Sequence, residues 1–372
     1  MKIVRARVIP IRLALAELIA TSRGEIRVRE GALMQLVSAS GACGWGEALP
    51  LPGFGLESAD EASRALESIG RALLAEEFAG LDAALDRADE TAPTAKAARA
   101  AADVALHDLA AREAGVALAA LLEDSPLRRV DVNALVRGAS PAELAASARD
   151  AVQRGHRTLK LKLLGDALDR DVARVAAVRD AVGDGPHLRL DANEAWDEDC
   201  ALAAVARLAA FGIELLEQPV AADDLDALAR VRAASPFAIA ADEAVCDPAS
   251  AARVLAAGAA DVLVLKPAAL GGLRAARRIA AEAERAGVAV LVTSFLDSSL
   301  GIAAALQLAA SLPRATHAAG LATAPLLAED LTTPLAIADG AIALPEIAGL
   351  GLRPEPEALE RCSHGRTREV RN

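Results

Sequence analysis

Tyrosine is absent from this chain of 372 residues, and aromatic residues make up only 2% of it. Since 53% of the chain is nonetheless hydrophobic, Ala, Leu and Val must fill its cores. The four cysteines, Cys43, Cys200, Cys246 and Cys362, are scattered, with no CxxC and no Cys/His cluster. That distribution argues against a disulfide framework and against a zinc site. No apolar run reaches 18 residues, so no membrane span is expected. The N-terminus, MKIVRARVIPIRLALAELIA, is not a signal peptide in this reading. Arg5, Arg7, Arg12 and Glu17 interrupt any apolar centre, while Val4, Ala6 and Val8 alternate with Arg5 and Arg7 as in a strand. A surplus of positive charge is also missing: the net charge is −12, which argues against nucleic acid and anionic membranes as partners. The expectation is a soluble cytoplasmic protein, with homo-oligomer formation left open.

A length of 372 residues suggests more than one domain. Residues 1 to about 50 read as strands, with ALMQLVSA and ACGWGEA split by Ser40-Gly41. LPLPGFG then forbids regular structure, and Ser58 to about Leu122 places apolar residues at helical spacing. This makes residues 1–125 an α+β unit. From Val130, apolar runs alternate with Ala-rich helical stretches: VDVNALV, TLKLKL, HLRLDAN, IELLEQP, FAIAADE, DVLVLKP, VAVLVTSF and ATHAAGLAT. Runs apolar throughout suit parallel strands buried on both faces, and repeated strand–helix alternation favours an α/β barrel over residues 126–325. No GxGxxG follows a strand, which counts against an open dinucleotide-binding sheet. After Pro325 the pattern breaks. Residues 326–372, including AIALPEI and AGLGLRP, are expected to return to the first domain and end in a mobile polar tail.

Five charged residues punctuate the barrel-like region, each closing an apolar run: Lys162, Asp191, Glu217, Asp242 and Lys266. Their separations are 29, 26, 25 and 24 residues, about one strand, one helix and two loops of a (β/α)8 barrel. Because all barrel strands point the same way, the five would meet at one face. Three carboxylates buried together need positive charge among them. An all-oxygen set suits Mg²⁺, with Mn²⁺ as the alternative, although a salt-bridge network with the lysines would also satisfy the carboxylates. Lys160 and Lys162 lie two apart on a strand and so share a face, with Lys266 roughly opposite. A lysine beside a dication and a second lysine is expected to have a lowered pKa, fitting it as a general base. A metal on a substrate carboxylate would then ease loss of the α-proton.

The motifs KLK at 160–162, DAN at 191–193, EQP at 217–219, DE at 242–243 and the LKP lysine Lys266 resemble the enolase superfamily, muconate-lactonizing subgroup, in order and near its spacing. VALHDLAAREAG and DGAIALPEIAGLGLRP extend the resemblance nearly end to end. It implies a (β/α)7β barrel, of the TIM type, under an α+β cap built from both termini. It implies Asp191, Glu217 and Asp242 as Mg²⁺ ligands, Lys162 and Lys266 as acid/base groups, and Lys160 on the substrate carboxylate. A lysine base with Mg²⁺ is the known solution of this superfamily.

Loops such as REGALMQL, GWGEALPLPGFG, VNALV, FLDSSLGIAAALQLAA and AAGLATAPLLAEDL resemble those of the o-succinylbenzoate synthases of menaquinone biosynthesis. The resemblance implies a carboxylate substrate contacted by Asn193, by Gly53 and Phe54 of PLPGFG, and by Ser294, Asp297 and Ser298 near the seventh strand. PLPGFG can equally be a plain turn, and the DSS segment can equally cap the following helix. Ala348 in EIAGLG and Ala244 after DE depart from the pattern without touching a ligand. N-succinylamino acid racemases and dipeptide epimerases would share the same inner residues, as would muconate cycloisomerases. Dehydration of acid sugars is disfavoured because the seventh strand has no histidine, and His317 reads as structural. A non-catalytic binding barrel would have no need of the mutually repelling groups.

Overall fold

The computed structural model describes residues 1–21, 24–312 and 317–371. Two long strands, β1 (Ile3–Thr21) and β2 (Gly24–Ser38), pair antiparallel, and β3 (Cys43–Ala48) adds to the edge of β2. Three helices follow: α1 (Ala59–Leu74), α2 (Leu81–Thr91) and α3 (Lys96–Ala114). The first begins where Ser58 and Glu61 form a reciprocal capping box, satisfying otherwise orphaned N–H groups. The third is buried on nearly all sides and rich in alanine. Small residues let it lie directly on β3. A Cβ on Gly46 would stand 1.9 Å from the carbonyl oxygen of Ala101, so only glycine fits there. This is how a chain poor in aromatics keeps a dense core: layers approach closely instead of being filled by large rings.

Two short strands come next, β4 (Arg129–Asp131) and β5 (Ala134–Val136), so VDVNALV is two strands rather than one. The curled parallel sheet runs in sequence order through β5, β6 (Thr158–Lys162), β7 (His187–Asp191), β8 (Ile213–Glu217), β9 (Ala238–Ala241), β10 (Val262–Leu265) and β11 (Ala289–Val292), with helices between successive strands. The eighth member is reduced to isolated bridges, Thr293 to Gly320 and Val132 to Ala319, which join the last strand to the chain entering the first. Of ATHAAGLAT, Ala315 and Thr316 lie outside the described residues. Leu215, Ala240, Val262, Val264 and Leu291 fill the barrel interior, while a larger apolar layer packs strands against helices. This is the expected TIM-like barrel with a separate antiparallel cap sheet. Among the described residues no helix is long and apolar enough to cross a membrane.

The C-terminal stretch departs from expectation in two respects. Ala341–Ala343, within AIALPEI, pairs with β4 of the barrel region rather than with the cap sheet. The last residues are ordered rather than mobile: Pro356–Cys362 is helical, and Arg368–Val370 pairs antiparallel with β1, setting Val370 opposite Ala6. Burial of the Val370 side chain against the cap core holds this strand in place. His317 Nδ1 donates to Glu214 at 3.1 Å, and Arg189 pairs with the same carboxylate at 2.6 Å, outside the main cavity.

Candidate active site

The parallel strands end around a cavity of about 330 Å³. Register places Lys162 opposite Asp191, and Asp191 opposite Glu217, on adjacent strands. Asp242 and Lys266 immediately follow β9 and β10. All five residues line the cavity, together with Lys160. The carboxylates are almost completely buried, at 2%, 1% and 4% exposure for Asp191, Glu217 and Asp242.

Lys160 lies among them. Its Nζ donates to both oxygens of Glu217, at 2.8 and 2.7 Å, and stands 2.9 Å from Asp191 Oδ2. Burial alone would lower the Lys160 pKa, but Asp191, Glu217 and Asp242 outweigh it and raise it. Burial, and then the neighbouring Asp191, push Glu217 up to about 8 even with that ammonium present. Lys266 pairs with Asp242 at 2.5 Å, and its ammonium lies 5.6 Å from the centre of the Phe295 ring. Here too burial is outweighed, by Asp242 first and then Glu243, so the Lys266 pKa is raised. In the ion-free site carboxylates stand closer to Lys160 and Lys266 than any other cation, which is why both pKa values are raised; the expected lowering concerns a lysine beside a dication. Lys162 is the open one: its side chain is 55% exposed, and Nζ donates to Asn193 Oδ1 at 2.8 Å.

Can this set hold a divalent cation? Among the described residues no three carboxylate, imidazole or thiol groups are already drawn to coordinating distance of one point. The bay between Asp191 and Glu217 is nevertheless occupied by a cation, the Lys160 ammonium, and Glu217 remains short of positive charge. An all-carboxylate, buried and under-neutralised donor set fits a hard divalent cation such as Mg²⁺.

Local backbone keeps the set in place. Asn193 and Gln218, just beyond the first two carboxylates, adopt positive φ values of 45° and 38°. Such conformations cost about 1–3 kcal/mol each and persist where surroundings impose them. Fully buried Gln218 accepts from the Asp242 and Ala244 N–H groups at 3.0 and 3.2 Å and donates to Val220 O. It therefore ties the loop after Glu217 to the backbone of Asp242.

Of the proposed substrate contacts, Asn193, Phe54 and Ser294 line the cavity. Gly53, Asp297 and Ser298 do not. Ser298 caps the helix Ser299–Ala310 and bonds to Glu47 of β3, while Asp297 accepts from Phe295 N. The capping alternative therefore holds for Ser298. Arg29, 1% exposed, explains the turn away from the cavity. It donates to Leu296 O at 3.1 Å and Pro50 O at 3.0 Å, and also bonds Leu49 O, so one guanidinium joins cap loop and barrel loop. The rings those loops carry, Phe54 and Phe295, meet edge to face at 5.7 Å. Lining residues that motif reading passed over include Arg137, Arg174, Glu243 and Thr323. Glu243 follows Asp242 directly, and the adjacent DE was the available signal; no short motif marks the other three.

Burial, and then Asp297, push Glu47 from its ordinary 4.5 up to about 8. An acid raised on folding favours the folded state most below its unfolded pKa and loses that advantage as pH rises through the folded value. Stability should therefore decline between about pH 4.5 and 8 by on the order of a few kcal/mol from this group. Glu47→Gln should flatten that decline in urea unfolding measured from pH 5 to 9. An unchanged slope would assign the decline to other groups.

Two family descriptions match the chain: "Mandelate racemase / muconate lactonizing enzyme, N-terminal domain" over residues 4–123, and "Enolase C-terminal domain-like" over residues 143–358. The L-Ala-D/L-Glu epimerase of Bacillus subtilis is 34% identical over 95% of this chain and 97% of that protein. The o-succinylbenzoate synthase of Thermobifida fusca is 44% identical, over 56% of this chain and 64% of its own length. The muconate lactonizing enzyme of Pseudomonas fluorescens, solved with muconolactone, superposes with a TM-score of 0.91 at 29% identity, covering 98% of this chain and 99% of that one.

Proposed function

We propose that this chain, which belongs to the enolase superfamily and its muconate-lactonizing subgroup, is an o-succinylbenzoate synthase. It would convert 2-succinyl-6-hydroxy-2,4-cyclohexadiene-1-carboxylate to 2-succinylbenzoate by syn loss of water, a carbon–oxygen lyase reaction. The observation that carries this reading is the distribution of charge in the cavity. Every lining carboxylate among the described residues sits at one end of the strands: Asp191 and Glu217 close β7 and β8, and Asp242 and Glu243 follow β9. The remaining wall is apolar, neutral polar or cationic, including Ile19, Ile26, Leu51, Phe54, Asn193, Thr323 and Arg137. A dipeptide would bring a free ammonium to a wall whose carboxylate at the mouth, Glu17, is already paired with Arg137. A succinyl arm brings an anion instead. The 44% identity to a synthase points the same way.

In this reading Lys162, exposed to the cavity and steadied by Asn193, takes the α-proton as the C–H bond breaks. The electron pair forms the new ring double bond as the C–O bond breaks. Lys162 then returns its proton to the departing hydroxyl, releasing water and an aromatic ring. Lys266, kept protonated by Asp242, offsets charge on the opposite side. Mg²⁺, or Mn²⁺, held by Asp191, Glu217 and Asp242, would neutralise charge growing on the substrate carboxylate as the proton leaves. Lys160 would orient that carboxylate from the floor of the site.

The second reading is racemisation or epimerisation of an N-acylated amino acid or dipeptide. It is favoured by full-length similarity, since epimerases and a muconate cycloisomerase match over 88–95% of this chain, whereas the synthases of Thermobifida fusca and Mycobacterium ulcerans match over 56% and 65%. A paired assay separates the two. One arm follows aromatisation by its ultraviolet change, and the other follows deuterium wash-in at the α-carbon of N-succinyl amino acids and of dipeptides. Fast aromatisation that EDTA abolishes, with slow exchange, is the expected result. Fast exchange with little aromatisation would overturn the synthase reading.

A further inference from the structure

We propose that Arg137 forms a second anion subsite in the cavity, which receives the far carboxylate of a dicarboxylate substrate. This rests on the succinyl-substrate reading above and adds the residue that would select for it. Continuing the register in which Leu135 pairs with Lys160 and Val136 with Leu161 puts Arg137, the residue after β5, beside Lys162 of the neighbouring strand. By the alternation of strands, Leu135 and Arg137 face the same way as Lys160 and Lys162. Both Leu135 and Arg137 indeed line the cavity. Arg137 is thus a cation at the rim, on the side away from β8 and β9.

Its present partner is Glu17 of β1, two residues before the cavity-lining Ile19, so the pair bridges cap and barrel at the mouth. Side-chain exposures of 47% and 56% make it a solvated ion pair. Such pairs contribute little to stability and open readily. A guanidinium accepts a carboxylate through two parallel hydrogen bonds, so a ligand carboxylate can take the position Glu17 now holds. The opposite end of the cavity would repel a second anion, since three buried carboxylates already crowd it. A substrate with one carboxylate at the reacting carbon and another at the end of a short flexible arm would therefore lie from Lys160 toward Arg137, along Ile19, Ile26, Leu51 and Phe54. Glu17 would act as an internal competitor for Arg137.

The test measures binding of 2-succinylbenzoate and of 2-butanoylbenzoate, which lacks the far carboxylate, by calorimetry in Mg²⁺. Wild type, Arg137→Gln and Glu17→Gln are compared, and dehydration is assayed alongside. Wild type should prefer the succinyl compound by about 10- to 100-fold, the usual scale for a charge-assisted hydrogen bond. Arg137→Gln should lose most of that preference, and Glu17→Gln should increase it. A purely structural ion pair would make the two variants behave alike, and that result overturns the subsite. If wild type dehydrates the cyclohexadiene substrate but Arg137→Gln keeps the full preference, the subsite is wrong and the synthase reading stands. If wild type neither dehydrates it nor binds either compound, the reading falls and takes the subsite with it.

Discussion

Lys162→Ala is expected to cut dehydration by about 10³-fold or more, within the range that removal of a positioned acid–base group produces, with a melting temperature close to wild type. Its side chain is 55% exposed and makes one hydrogen bond, to Asn193, so little packing is lost. Lys266→Ala should lose turnover on a similar scale, but through charge: a preorganised cation beside developing negative charge is worth about 10²–10³-fold. This second variant also leaves Asp242 without its 2.5 Å partner, and so should melt earlier than Lys162→Ala. Lys266→Arg discriminates further, because arginine keeps the charge but cannot release a proton near neutral pH. If Lys266 only stabilises charge, this variant keeps a measurable fraction of dehydration. If Lys266 is a second base, as racemisation requires, interconversion of the enantiomers vanishes in it as completely as in the alanine variant, and α-carbon exchange survives only for the enantiomer whose proton faces Lys162. Wild-type turnover in Lys162→Ala would remove the proposed acid–base role outright.

The strand ends were legible in the sequence because barrel geometry makes them so. Each apolar run is buried on both faces, so the first charged residue after it marks the mouth, and a repeat of about 25 residues is the signature of the fold. Asp191, Glu217 and Asp242 could be placed together on that basis alone. Side chains whose direction depends on distant partners could not. The DSS segment offered hydroxyls and a carboxylate in the right loop. Arg29 and Glu47, about 250 residues earlier, bind its neighbours and turn Asp297 and Ser298 from the cavity. Arg137 was hidden for a different reason: VDVNALV breaks into two strands, so counting from its start does not give the facing of its last residues. The tail ALERCSHGRTREVRN is polar and basic, and that composition points to mobility. Only the free edge of β1 and the pocket for Val370 give it a place. Distance, which sequence does not contain, sets whether carboxylate or ammonium dominates around each lysine in the ion-free site.

Lys160→Met should make the stability of the protein depend on Mg²⁺. In the ion-free fold, the Lys160 ammonium is the cation closest to Asp191 and Glu217, at 2.9 and 2.7 Å. Replacing it with an apolar chain of similar length leaves two fully buried carboxylates facing each other. Removing one partner of a buried ion pair typically costs about 3–5 kcal/mol. Part of that cost is relieved if Glu217, already held up near 8, takes a proton. The EDTA-treated variant should therefore unfold several degrees below wild type, by roughly 2 °C or more per kcal/mol lost in a chain of this size class. A cation that binds only the folded state returns stability as RT ln(1 + [L]/Kd), about 2.7 kcal/mol at a hundredfold excess over Kd. In wild type the ammonium already neutralises part of the bay, so the gain on adding Mg²⁺ should be smaller than in the variant. Thermal melts with and without Mg²⁺ test the donor set without relying on turnover. Equal Mg²⁺ shifts in both proteins would mean that the ion binds elsewhere, and that the three carboxylates are a salt-bridge network with their lysines. A larger shift in Lys160→Met, abolished by Glu217→Gln in the same background, would place the cation among the carboxylates that Lys160 now holds.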